Sequence, residues 1–570
     1  MNGKEKLTFI IILLLGLSIR TLNLNWDENQ HLHPDERFLT MVGVQIKFPA
    51  SFSDYLDPSI SSLNPYNNNY NFFVYGTFPL NFVKLVAESF KLADYNRFTI
   101  VGRAISALLE TAVLILVFFV SRELFEKDRQ RNKIALWALF FYAISVLPIQ
   151  LAHFFAVEPF LVFGNTLGLY LLFHLINHPK NNAIISALMG VVIGLALASK
   201  VTAIFGIATI LLGLIFMLIK ERKPLQATSS ILIFIIFTYL FLRIGDPRIF
   251  SSRNFFDLSL NQQFINNLKE LASFNRPESL FPPAIQWIKT KPIIFPLKNL
   301  ILRGLGLPLG VLAILALIEQ SLRIVKKIKK LVQKKSMKLI GTSDINLFLT
   351  VTFVTGTFFY QGIQFAKGMR YFYPIYPFLA ILTAAFFQRN TSKLIIWRWI
   401  LGILVLIYPL SFLSIYLHPH SRITASYWIY KNIPADSFLA GEHWDDWLPI
   451  SFKGNPASIY KGEQLPLYNQ ENQEKWKEIN KILEKTDYLI LSSNRLSGSI
   501  PKLPEIYPQT SKYYQELFEE KLDFIRVAEF VSYPCFPPVG KPLFCFPDQD
   551  ADESFTVYDH PKVIIFARKQ

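Results

Sequence analysis

Apolar positions in this chain gather into long, nearly unbroken runs separated by short polar or basic stretches, and only after residue 417 does the spacing tighten into mixed polar and apolar sequence. Runs of about 15 to 22 residues have the length a helix needs to cross a bilayer. They fall at 7–22, 103–120, 134–150, 159–176, 183–198, 201–219, 229–242, 300–317, 347–360, 371–387 and 394–417. This pattern predicts a polytopic α-helical membrane protein with about 11 transmembrane helices over residues 1–417. Two longer polar stretches, 23–102 and 243–299, interrupt the series. Residues 418–570 intersperse Lys, Glu, Asp and Pro with short apolar runs such as Tyr488-Leu489-Ile490-Leu491 and Val563-Ile564-Ile565-Phe566. They predict a small soluble α/β domain.

Composition agrees, with 51% of the 570 residues hydrophobic and 15% aromatic. The net charge of +16 does not point to nucleic acid, because no basic, aromatic-interleaved soluble segment accompanies it. The Lys and Arg residues sit between apolar runs instead, as in cytoplasmic loops beside anionic lipid. Lys4 and Lys6 before Leu7–Leu17 resemble the start of a signal peptide, but no small-x-small cleavage site follows and Arg20 closes the run. An uncleaved first span is expected. Three basic loops then set orientation: Arg122 to Lys133; Lys220, Arg222 and Lys223; and Arg323 to Lys338, which includes Lys334 and Lys335. They share one side when the span count is odd and the N-terminus is cytoplasmic. The expected location is the plasma (cell inner) membrane, with loops 23–102 and 243–299, the turn at 153–158 and the C-terminal domain extracytoplasmic. Phe255 to Phe274 alternates at helical spacing, as would an amphipathic helix lying on the membrane or one packed on the protein. The two cysteines, Cys535 and Cys545, both lie in the tail. An oxidising compartment would pair them, a stronger reading than a metal site because no His or further Cys lies close by; two reduced thiols are the alternative.

Candidate chemistry collects on the outer side. Directly after the first run stands Trp26-Asp27-Glu28-Asn29-Gln30-His31-Leu32-His33-Pro34-Asp35-Glu36-Arg37. Glu158 opens the fourth run, Arg103 the second, Lys200 interrupts apolar sequence on both sides, and Arg370-Tyr371 precedes a Pro-containing run. Ionisable groups at membrane depth are costly and mark a pairing, a pathway or a site. Each has a plainer reading as well: a turn residue after Pro34 for Asp35, a helix N-terminal acid for Glu158, and snorkelling anchors for Arg103 and Arg370. Asp27, Glu28 and His31 are read as loop surface. His31, His33 and His153 lack His-x-x-Glu-His type spacing, so no metal site is assigned, although a divalent ion is not excluded. No inverted internal repeat of the kind many transporters carry is visible.

Acids and cations gathered at one membrane face suit glycosyl transfer from a lipid phosphate. The acceptor hydroxyl must lose a proton and the departing phosphate gains negative charge. In these residues the chain resembles the lipid-linked-sugar glycosyltransferases of the GT-C fold, in the branch of the protein O-mannosyltransferases and the aminoarabinose transferase of lipid A. The resemblance covers essentially the whole membrane part. It rests on His33-Pro34-Asp35-Glu36, Tyr75-Gly76-Thr77-Phe78-Pro79-Leu80, Arg103, Glu158 where the family commonly has Asp, Lys200, and Arg370-Tyr371. It implies a polyprenyl-phosphate sugar donor and an inverting displacement, mostly without metal or other cofactor in this branch. It also implies Asp35 as general base, Glu36 in support, and Glu158 as a second site acid. Arg103, Lys200 and Arg370 are implied as donor-phosphate contacts, with Tyr371, His33 and Tyr75 beside the substrate. The acceptor, whether protein, lipid or glycan, is not named by these residues. By analogy the C-terminal domain, with Trp444-Asp445-Asp446, would select the acceptor or close over it. A transporter or flippase of lipid-linked glycans is the alternative, and it would spread its charges along a path through several spans.

Overall fold

The computed structural model describes residues 1–570 except Asn181, 222–223, 335–340, 392–394, 452–453 and Gln570. Arg222, Lys223, Lys335 and Lys338 of the expected basic loops therefore lie outside the described residues. The apolar runs coincide with helical segments. Among the described residues, seven helices are long and apolar enough to cross a membrane, or eight if one bent pair is a single span. The other three expected runs, Gly3–Arg20, Asn182–Leu197 and Thr342–Ile363, are helical as well but fall below that criterion of length and composition. The three runs that fall short have identifiable reasons: Gly3–Arg20 carries Lys4, Glu5, Lys6 and Arg20, and Asn182–Leu197 has only 16 residues. In Thr342–Ile363 the apolar residues are interrupted by Asn346, Thr350, Thr352, Thr355 and Thr357.

The bent pair, Arg131–Ala143 and Val146–Ala152, turns by 59°. A bend frees the last carbonyls of the first helix, and buried carbonyls need donors. Arg20, fully buried, supplies them: its guanidinium donates to the carbonyls of Tyr142 and Ala143 at 3.1 Å each, and its Nε lies 3.7 Å from Glu110. Tyr142 in turn donates its hydroxyl to Glu110 at 2.9 Å. This polar knot inside the helical domain was not expected from the sequence. Tyr95–Leu124 runs through the bundle and packs on Glu158–Asn177, Arg131–Ala143 and Gly3–Arg20. Asn182–Leu197 packs tightly on Pro224–Gly245, where a Cβ on Gly194 would stand 2.6 Å from the carbonyl oxygen of Thr238. Small residues are what allow such backbone approach in a membrane domain.

In the loop between the first two long helices, Pro34–Gln45 and Thr77–Ser89 are helical and bury Leu39, Val42, Leu80 and Val83 against Phe98 and Phe155. The segment expected to be amphipathic forms a helix only over Gln262–Phe274, with residues 255–261 in a loop before it. The C-terminal region holds a five-stranded sheet in the order Lys461–Leu465, Phe438–Glu442, Tyr488–Leu491, Val563–Arg568, Phe524–Phe530. The first three strands are parallel and the last two pairings antiparallel. Helices Ser421–Asn432, Gln473–Lys485 and Pro508–Phe518 cover it.

Cys535 and Cys545 face each other across a two-stranded ribbon and form a disulfide. With a sequence separation of 10, closing this loop stabilises the folded region by about 2–3 kcal/mol through chain entropy. Cys535→Ser is expected to lower the unfolding midpoint of the purified protein, measured by thermal denaturation.

The last residues of the C-terminal region sit on the helical domain through a buried cluster. Asp559 accepts from the Tyr416 hydroxyl at 2.7 Å and from Gln150, and it pairs with His560, whose other ring nitrogen lies 3.1 Å from Asp548. Burial disfavours the imidazolium, yet the two carboxylates outweigh it and push His560 up from 6.5 to about 10. A raised folded-state value contributes stability that is complete below pH 6.5 and is lost as pH rises toward about 10. His560→Gln is expected to flatten that alkaline decline in thermal midpoint and to lower the midpoint below pH 6.5.

Candidate active site

The segment from Trp26 to Arg37 divides into a closed half and an open half. In the closed half, Arg103 on Tyr95–Leu124 is fully buried and uses all five N–H donors. Nε and Nη2 go to Glu36 at 2.9 and 2.7 Å, Nη1 and Nη2 to Asp27 at 3.0 and 2.9 Å, and Nη1 also to the Leu24 carbonyl at 2.9 Å. The Trp26 ring lies 4.6 Å away over the guanidinium carbon. Asp27, read as loop surface, is therefore a buried ion-pair partner, and burial, which would raise its carboxyl, is outweighed by Arg103 so that the net direction is down. His31, also read as surface, is buried between Asn96 and Thr99; Glu28 is exposed as expected. His153 stacks on Tyr416 at 3.7 Å.

Asp35 points elsewhere. It and Glu36 occupy the first turn of Pro34–Gln45, and neighbours on a helix diverge by about 100°, so one carboxylate enters the Arg103 knot while the other faces an opening. Asp35 pairs with Arg370, which begins the segment leading into Tyr376–Thr391, and accepts a hydrogen bond from Tyr75. Arg370 Nε lies 3.9 Å from Glu158, and Lys200 Nζ is 2.6 Å from the same carboxylate oxygen. The Tyr371 ring lies 5.2 Å from Lys200 Nζ. Side-chain exposure separates the halves: 24% for Asp35, 27% for Arg370 and 21% for Lys200, against 0% for Arg103 and Glu36. Partial burial would raise the Asp35 carboxyl, but Arg370 first, with His33 and the hydrogen bonds from Arg370 and Tyr75, holds it well below the usual carboxylate range.

Several elements hold this opening. His33 caps the Pro34–Gln45 helix and is sandwiched between Phe154 at 4.6 Å and Tyr558 at 4.0 Å. The Tyr75-Gly76 segment crosses the end of Asn182–Leu197 so closely that a Cβ on Gly76 would meet the Ala198 carbonyl oxygen at 2.0 Å. The Gly76 N–H donates to the Ser199 carbonyl at 3.1 Å, which ties Tyr75 to the residue before Lys200. Arg248, in the second long loop, donates to the carbonyls of Phe73 and Tyr75 at 2.7 and 2.8 Å, and Asp246 accepts from the Thr77 N–H. From the C-terminal region, Asp552 accepts the Met369 N–H at 2.6 Å, one residue before Arg370, and Asp446 accepts from Arg37.

All nine residues expected at the site thus lie at one end of the helical domain, the end that carries the C-terminal region. They form two clusters: Asp35, Tyr75, Glu158, Lys200, Arg370, Tyr371 and His33 around the opening, and Glu36 with Arg103 behind it. Tyr558, Asp552, Asp246 and Arg248 were not found in the sequence. The Asp246-Pro247-Arg248 turn directly after an apolar run was a usable signal; Tyr558 and Asp552 carry none in their local sequence.

The chain matches solved structures along its whole length. It superposes on the archaeal oligosaccharyltransferase AglB from Archaeoglobus fulgidus, solved with an inhibitory peptide and a dolichol-phosphate, with a TM-score of 0.54 at 13% identity, covering 99% of this chain and 88% of that one. The apo form gives 0.50 at 13% identity, over 89% and 72%. ArnT from Cupriavidus metallidurans, bound to undecaprenyl phosphate, aligns over 99% and 98% at 10% identity with a TM-score of 0.42. No curated protein matches the chain. The fold it shares with AglB is a helical membrane domain followed by a C-terminal α/β domain. Residues 85–243, which include Arg103, Glu158 and Lys200, match the dolichyl-phosphate-mannose-protein mannosyltransferase family, so the protein is a glycosyltransferase related to the lipid-phosphate-sugar enzymes.

Proposed function

We propose that this protein transfers a monosaccharide from a polyprenyl-phosphate sugar to an acceptor hydroxyl, with inversion at the anomeric carbon, on the extracytoplasmic face of the cell membrane. The observation that carries this reading is the set Asp35, Arg370, Glu158 and Lys200, two carboxylates and two cations joined at the end of a helical bundle, with Glu158 buried and the other three partly exposed. Relatives solved with dolichol-phosphate and undecaprenyl phosphate support a lipid-phosphate donor.

In the proposed step the Asp35 carboxylate takes the acceptor proton as the acceptor oxygen attacks the anomeric carbon from the face opposite the phosphate. The bond from that carbon to the phosphate oxygen breaks, its electron pair leaves with the phosphate, and the sugar passes to the acceptor. Arg370 and Lys200 stabilise the departing phosphate. Their present partners explain the order of events. While Arg370 holds Asp35, the carboxylate is a weak base. A phosphate that draws Arg370 toward itself removes the main influence holding the Asp35 carboxyl down, so basicity appears only when donor is bound. Glu158 orients Lys200 and shares Arg370 in this scheme. Arg103 and Glu36, whose groups are committed to each other and to Asp27, are assigned here to holding the Asp35 helix, in place of the donor contact and support of the base expected for them.

The test is incubation of the purified protein with a panel of labelled polyprenyl-phosphate sugars and membrane acceptors, with products identified by mass spectrometry. One donor is expected to be consumed with its label transferred in inverted configuration. Movement of an intact lipid-linked sugar across vesicles without cleavage would overturn the reading in favour of a transporter.

A further inference from the structure

The helices that carry the site continue for about 30 Å to the opposite end of the bundle, where a second constellation stands. The ends of Tyr95–Leu124, Leu307–Lys334 and Tyr376–Thr391, with the start of Thr342–Ile363, enclose a cavity of about 640 Å³. Its walls are apolar, with Phe125, Phe216, Ile324, Leu347 and Phe348. Its rim is basic: Arg323, Lys326, Lys327, Lys330 and Arg389 line it. Lys327 pairs with Asp344 at 2.8 Å, Arg389 with Asp128 at 3.1 Å, and Arg323 with Glu319. Lys326 and Lys330 make no ion pair among the described residues, so the rim keeps an excess of positive charge.

Deeper in the cavity lies Gln320, with no solvent exposure and with both its amide nitrogen and its amide oxygen lacking a hydrogen-bond partner among the described residues. The hydroxyl of Ser343, also lining the cavity, is buried without a partner in the same way. A primary amide held in apolar surroundings with nothing to bond is costly, and native proteins rarely leave one so. Gln320 sits one helical turn, about 5 Å, further into the bundle than Arg323 and Ile324. Phosphate-binding cations at a membrane boundary, an amide donor one turn deeper and apolar walls beyond match, in that order, the phosphate, ester carbonyl and acyl chains of a glycerophospholipid.

We propose that this cavity is a binding site for an anionic glycerophospholipid of the leaflet opposite the active site. The phosphate lies between Lys326 and Lys330, Gln320 donates to an ester carbonyl, and the acyl chains follow Phe216 and Phe348. Two lysines without an acidic partner among the described residues select a net negative headgroup over a zwitterionic one of the same shape.

The experiment is native mass spectrometry of the full-length protein in detergent with dioleoyl-phosphatidylglycerol, dioleoyl-phosphatidylcholine or undecaprenyl phosphate added in turn. Phosphatidylglycerol is expected to be retained over phosphatidylcholine by about tenfold or more, the scale set by two lysines near an anionic headgroup. Lys326→Gln with Lys330→Gln, both exposed positions that tolerate substitution, is expected to abolish the preference. Gln320→Leu, which keeps the cavity filled, is expected to weaken retention of phosphatidylglycerol with sugar transfer unchanged. Equal retention of the two phospholipids, or phosphatidylglycerol retention unaffected in both variants, overturns the proposal. So does preferential retention of undecaprenyl phosphate that disappears with the two lysines, which would make this a carrier-lipid site instead.

Discussion

Asp35→Asn is expected to remove sugar transfer, by about 10²–10⁴-fold or more, in a protein that folds, inserts and binds donor. The substitution keeps the shape of the side chain and an oxygen that accepts from Arg370 and Tyr75, so the opening and the Pro34–Gln45 helix keep their contacts. What it removes is the charge that takes the acceptor proton and the charge that competes with a phosphate for Arg370. Two consequences follow that simple damage would not produce. Donor affinity, measured by titration of a polyprenyl-phosphate sugar, is expected to be equal to or tighter than wild type, because Arg370 no longer has to leave a carboxylate. Thermal stability is expected to change little, since the Asp35–Arg370 pair is partly exposed and such pairs contribute modestly. Wild-type turnover by Asp35→Asn would remove Asp35 from the chemistry, and loss of donor binding together with activity would make it a structural residue.

The gathering of these groups at one end of the bundle was legible in the sequence for a physical reason. Lys and Arg left between apolar runs order the loops by side, and a charge that breaks an apolar run must be satisfied at its end or pay in desolvation. That logic placed Asp35, Glu158, Lys200 and Arg370 on one surface without any contact being visible. It could not assign partners. Arg103 and Arg370 look alike as cations at the ends of apolar runs, and only the folded chain shows that one is surrounded by Asp27, Glu36 and Leu24 while the other is half open. The same blindness made Asp27 a surface residue, because an acid three positions from Leu24 reads as loop until its buried partner, 76 residues away, is known. Tyr558 and Asp552 reach the site from more than 180 residues beyond Met369, through the docking of the C-terminal region. No local pattern encodes such a contact. Asn182–Leu197 and Thr342–Ile363 are helical where apolar runs were expected, with apolar residues too few or too diluted to meet a bilayer-length criterion.

Arg103→Met is expected to have the largest effect on stability, about 3–5 kcal/mol for loss of one partner from a buried ion cluster, seen as a lower thermal midpoint and reduced yield in membranes. The methionine fills much of the volume and preserves contact with Trp26, so the effect isolates the charge. It leaves Asp27 and Glu36, at 1% and 0% exposure, with four oxygens facing no cation. Lysine is expected to recover only part, since one ammonium with three donors cannot reproduce a fork that serves both carboxylates and a carbonyl. The triple change Arg103→Met, Asp27→Asn and Glu36→Gln is expected to be more stable than Arg103→Met alone, because it removes the charges that the first change strands. A donor-binding arginine would behave in the opposite way: its loss would raise the donor KM at unchanged midpoint, and neutralising Asp27 and Glu36 would restore nothing. The sign of the triple variant relative to the single therefore decides whether the family-like arginine at the head of this helix holds the substrate or holds the helix that presents Asp35 to it.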